Sequence, residues 1–147
     1  MSIRFIDEFN FDIYIKRELI NNIDFKDKVS LENYLKKMFK TLKDKYYIAI
    51  EGFYDITIYI DKYYGVVLHL EKDEMDYYEY FKNQVDMKLS IIDTEFIYKI
   101  DDIPFNILNK IKIFSKNNNI YIKLKEQLTN LEMMNLLEYS EVTYKKD

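Results

Sequence analysis

The chain has 147 residues, of which 48% are hydrophobic, 17% aromatic and 33% charged, with a formal net charge of -4. That length suits a single domain burying about two-thirds of the surface its unfolded form exposes, and so apolar a composition excludes a disordered chain. With no cysteine, disulfides, thiolate metal sites and cysteine nucleophiles are excluded together, which fits a cytoplasmic protein.

Acids interrupt every short apolar stretch near the N-terminus, so no signal-peptide core is expected there. No apolar run approaches the roughly 20 residues of a membrane-spanning helix. The negative balance argues against a phosphate-backbone binder, whose contacting face is normally strongly basic. The surplus of Lys, Ile, Asn, Tyr and Phe over Ala, Gly, Pro and Arg reads as the bias of an A/T-rich coding genome.

In chain order, Phe9, Phe11, Ile13 and Ile15 alternate with polar residues, the pattern of a half-buried strand, paired with Ile3 to Ile6 across a turn near Asp7 to Asn10. Ser30 then stands as N-cap before Leu31, Tyr34, Leu35, Met38, Phe39 and Leu42 at helical spacing. The opposite face of that helix carries Lys36, Lys37, Lys40 and Lys43, as a solvated helix face would. Tyr47 to Glu51 and Tyr54 to Ile60 read as strand with a bend at Gly52. A turn over Asp61 to Gly65, where Gly65 can take positive φ, leads into Val66, Leu68 and Leu70.

Residues 71–86 mix acids with large aromatics and form a connector between two halves. Val85 to Ile91 alternates again, and a turn at Ile92 to Thr94 leads to Phe96, Tyr98 and Ile100. Pro104 marks a break. Lys110 to Ser115 and Ile120 to Leu124 flank an asparagine-rich hairpin tip. Thr129 and Glu132 form a capping box for a second helix ending near Tyr139, and Val142 to Tyr144 adds an edge strand. The order predicts an α+β fold: antiparallel sheets with two main helices packed on one face, in a single compact domain over 1–147.

Chemistry-bearing motifs do not emerge. His69 is the only histidine and alternation puts it outward with Val67 and Glu71, a solvent-facing or edge residue. The glycines Gly52 and Gly65 stand too far apart to cradle a phosphate. Asp73, Glu74 and Asp76 offer oxygen ligands, but the segment lacks the glycine and the late glutamate of a calcium loop. No catalytic, cofactor-binding or metal residues are therefore assigned, and no cofactor is expected.

What remains is a non-enzymatic protein-interaction module, an adaptor or regulator. Its candidate contact residues are Glu74, Asp76, Tyr77, Tyr78, Glu79, Tyr80 and Phe81, because so many large rings beside so many acids cannot all be buried, and rigid rings with a polar tip dock at little entropic cost. The alternatives are an acidic inhibitor mimicking nucleic acid, of phage or mobile-element type, which the helix lysines count against, and an enzyme of unrecognised type. Another protein is the expected partner, nucleic acid and membrane are not, and an edge strand leaves a homodimer open.

Overall fold

A computed structural model describes residues 1–20, 22–73 and 85–144. Strand β1 (Ser2–Phe5) pairs antiparallel with β2 (Asn10–Lys16), setting Ile3 opposite Ile13 and Phe5 opposite Phe11. Asp7 closes the turn between them, its Oδ1 accepting from the N–H groups of Phe9 at 2.8 Å and Asn10 at 2.9 Å, the local bonding that makes aspartate a turn residue.

Helix α1 runs Lys28–Tyr46 and is capped by Asp27 rather than by Ser30. The Asp27 carboxylate accepts from Val29 N–H at 3.1 Å and Ser30 N–H at 3.3 Å, and the Ser30 hydroxyl donates to its other oxygen at 2.8 Å. Asp27 thus satisfies two orphan donors of the first turn, and Ser30 falls inside the helix as a partner of the cap. Leu31, Leu35, Phe39 and Leu42 form the buried stripe. Tyr47 ends the helix in the left-handed region at φ 57°, and Ile48 N–H donates to Leu42 O at 3.0 Å. That ending overturns the expected strand over Tyr47 to Glu51, because backbone at positive φ leaves the extended region.

Strands β3 (Gly52–Asp61) and β4 (Gly65–Lys72) follow, then β5 (Val85–Asp93). Gly52 sits at φ 107°, a conformation residues with a Cβ rarely adopt, so the first residue of β3 suits glycine for conformation; a Cβ there would need the Lys72 side chain, 3.1 Å away at Cε, to shift slightly. These strands make a five-stranded sheet in the order β1-β2-β4-β3-β5, which leaves β1 and β5 at its edges.

The remaining strands are β6 (Ile97–Ile100), β7 (Ile111–Lys116), β8 (Asn119–Leu124) and β9 (Ser140–Thr143). They form a separate four-stranded sheet, ordered β7-β8-β6-β9. Asn117 and Asn118 carry the β7–β8 turn at φ 53° and 66°, as their tolerance of the left-handed region allows. Helix α2 (Asn130–Glu138) has the expected capping box: Glu132 N–H donates to Thr129 Oγ1 at 3.2 Å, and Thr129 N–H donates to Glu132 Oε1 at 2.9 Å. The fold is mixed α and β, with two sheets and two main helices among the described residues.

The chain forms two compact units, Met1–Tyr59 with Val66–Ile92 and Ile60–Gly65 with Asp93–Asp147. In the first, Ile13, Leu35, Ile56, Ile58, Leu68 and Leu70 are fully buried; in the second, Phe96, Tyr98, Ile107 and Ile122 are. Within the second unit one buried carboxylate fastens the β3–β4 turn. Asp61 Oδ2 accepts from Tyr63 N–H at 2.9 Å and Tyr64 N–H at 2.7 Å, and its Oδ1 accepts from Phe96 N–H at 2.8 Å. The Tyr64 and Phe96 rings lie 5.2 Å apart beside it. No helix among the described residues is long and apolar enough to cross a membrane.

Candidate functional site

The seven contact residues expected from sequence, Glu74, Asp76, Tyr77, Tyr78, Glu79, Tyr80 and Phe81, lie outside the described residues. Their flanks are placed. Before them, Asp73 N–H donates to Phe53 O at 2.9 Å, tying the end of β4 to β3; after them, β5 opens at Val85. The connector therefore leads into an edge strand of the first sheet. Strand β5 is largely exposed, with Met87 its only buried residue.

His69 departs from its expected place. It is 7% exposed, and its Nδ1 lies 2.5 Å from Oδ1 of Asp12, itself 2% exposed, while its Nε2 lies 3.1 Å from Glu71 Oε1. The outward reading fails because β4 is the middle strand of five and is buried on both faces from Gly65 through Leu70. A strand covered on both sides reads as a continuous apolar run rather than an alternation. The sequence signal was present in Val67, an aliphatic residue in the set assigned to solvent.

A carboxylate oxygen faces each ring nitrogen, so the ring can form one hydrogen bond through Nδ1 and one through Nε2. Tyr59 is nearby: burial first, then the negative charges of Asp12 and Glu71, push its phenol above the ordinary range. Arg4 stands opposite Asp12 in the β1–β2 register. The contact between His69 Nδ1 and Asp12 Oδ1 cross-links β2 to β4.

The second unit holds an open cleft of about 870 Å³ between the segment from Asp101 to Ile107 and the part of α2 bearing Asn135 and Leu136, with Tyr139 just past the helix end. Asp101, Asp102, Glu132, Glu138 and Glu141 make its lining acidic, with Lys99 at one end. Glu132 is already engaged by Lys110, whose Nζ donates to it at 2.8 Å. Among the described residues, no three His, Asp or Glu side chains are grouped as a metal ion would need.

Comparison with protein-family models, with curated proteins and with solved structures finds no match to this chain.

Proposed function

We propose that the protein is a non-enzymatic interaction module that binds another protein along the β5 edge together with the connector over 71–86, in the cytoplasm to which its lack of cysteine is suited. The observation that supports this is the edge itself. Strand β5 is nine residues long and outermost in its sheet, longer than the average strand of about 5–6 residues, whereas edges are normally kept short or covered. Met87 N–H donates to Asp86 Oδ1 at 2.8 Å, near the start of the strand. As the outermost strand, β5 turns the N–H and C=O groups of alternate residues away from β3. A partner strand adding there gains main-chain hydrogen bonds, and the acidic tyrosine-rich connector beside it supplies side-chain selectivity.

The test is affinity capture from the native cell, followed by reconstitution with the purified partner. Leu89→Pro and Ser90→Pro each remove one N–H of the edge strand, and by the two-residue period one of the two faces outward, where proline is tolerated; that variant should leave the fold intact and abolish the complex, as should Tyr77→Ala combined with Tyr80→Ala. A complex that survives both changes would sink this reading.

A further inference from the structure

We propose that the open face of the second sheet binds single-stranded nucleic acid, with Phe114 and Tyr121 stacking on bases and the surrounding lysines meeting the phosphates. The register of β6, β7, β8 and β9 sorts their residues into two faces. Tyr98, Ile122, Ile113, Ile111 and Val142 share one face, on which Tyr98, Ile111 and Ile122 are buried. The other carries Lys112, Phe114 and Lys116 from β7, Tyr121 and Lys123 from β8, Ile97 and Lys99 from β6, and Glu141 and Thr143 from β9.

Basic and aromatic residues therefore alternate with a period of two on this face, Lys112-Phe114-Lys116 on one strand and Tyr121-Lys123 on its neighbour. Phe114 and Tyr121 are cross-strand partners with ring centroids 5.6 Å apart and planes 21° apart, a ready stacked pair. Lys123 Nζ stands 5.8 Å from the Phe114 centroid, and a shallow hollow of about 840 Å³ opens over Ile97, Phe114, Tyr121 and Lys123.

Rings beside flexible cations are the two elements a single strand needs: every base has a π-face, and the backbone is a row of negative charges. A duplex keeps its bases stacked internally and has none to offer to a sheet. The strands of this face bring four lysines, Lys99, Lys112, Lys116 and Lys123, against one acid, Glu141. Asp93 and Glu95 also line the hollow, and Glu95 holds Lys123 at 3.2 Å, so the phosphates would be met chiefly at Lys112 and Lys116. The whole-chain charge of -4 conceals this face, because Asp101, Asp102, Glu132 and Glu138 of the same unit line the acidic cleft, which shares only Lys99 and Glu141 with the face.

The proposal is independent of the β5 edge and is tested on the purified chain alone. Fluorescence anisotropy would follow labelled oligouridylate and oligothymidylate of about 12 nucleotides, within the span of known single-strand sites. Both should bind, more weakly as salt rises; tighter binding of the first identifies RNA as the ligand, of the second DNA. Phe114→Leu and Tyr121→Leu keep apolar bulk but lose the π-face, and each should weaken binding roughly 5- to 100-fold with the thermal midpoint unchanged. Lys112→Gln with Lys116→Gln should reduce the salt slope by about 1.4, whereas Lys45→Gln on α1 should not. In the unaltered chain, ultraviolet cross-links from a bromouridine oligomer should map to β7 and β8. No binding at low salt, leucine variants that bind like wild type, cross-links elsewhere, or a duplex that competes as well as a single strand would each overturn the proposal.

Discussion

Tyr98 is fully buried, and its hydroxyl finds no hydrogen-bond partner among the described residues. Burial, then the charge of Asp61 and the neighbouring Tyr64, pushes its ionisation far above the ordinary phenol range. A buried polar group left unpaired carries its desolvation penalty, so Tyr98→Phe should raise stability by about 1 kcal/mol, read as a higher urea midpoint; a lower midpoint would mean that the hydroxyl is satisfied. The opposite holds at Asp12 and His69, whose side chains are 3% and 8% exposed and bonded to each other. Asp12→Ala leaves the buried His69 ring without its partner on β2 and should cost up to about 3–5 kcal/mol, while replacing both residues by leucine should cost much less. That non-additivity in a double-mutant cycle separates a charged cross-link from ordinary packing. This pair was not legible in the sequence. Asp12 and His69 are 57 positions apart, and only the strand order, which places β2 beside β4, brings them together.

At the scale of elements, legibility followed how local the cause was. The α2 cap could be read because its partners are three residues apart and both halves of the box are written as Thr129 and Glu132. Thr129→Ala should therefore cost about 1 kcal/mol, and Thr129→Ser little, by urea denaturation. The start of α1 was misplaced because Asp27 and Ser30 are both good caps and Leu31, the first residue of the apolar stripe, follows Ser30. The carboxylate wins by accepting from two backbone N–H groups. Tyr47 was misread for a different reason. A left-handed tyrosine has no sequence signal of the kind glycine or asparagine gives. Period-2 alternation revealed β5 and β6 as strands but not that they join different sheets, since pairing is set by contacts far apart in sequence. Of the expected binding site, the acidic tyrosine-rich composition was visible at once, whereas the long exposed edge that adjoins it required the topology. The basic-aromatic face was equally hidden, because its residues come from four strands and their kinship depends on register.

For the whole molecule, net charge says less than where the charges are held. Asp7, Asp27 and Glu132 all have their carboxyl ionisation lowered. The largest causes are, respectively, the Asn10 side chain, the Ser30 hydroxyl and the Lys110 ammonium. A carboxylate whose folded pKa is depressed holds fewer protons in the native than in the unfolded state, so it adds stability above its unfolded value. It loses that contribution as pH falls through the folded value. The ordinary values are 3.8 for the two aspartates and 4.5 for the glutamate. Stability should then hold above about pH 5 with respect to these groups and decline progressively below it. Asp27→Asn tests the cause, because asparagine caps a helix about as well as aspartate but does not titrate in this range. Combined with Asp7→Asn, it should give urea midpoints close to wild type at pH 7 and a shallower loss between about pH 4.5 and 3. Wild-type and variant curves that fall in parallel would show that the acid sensitivity arises elsewhere.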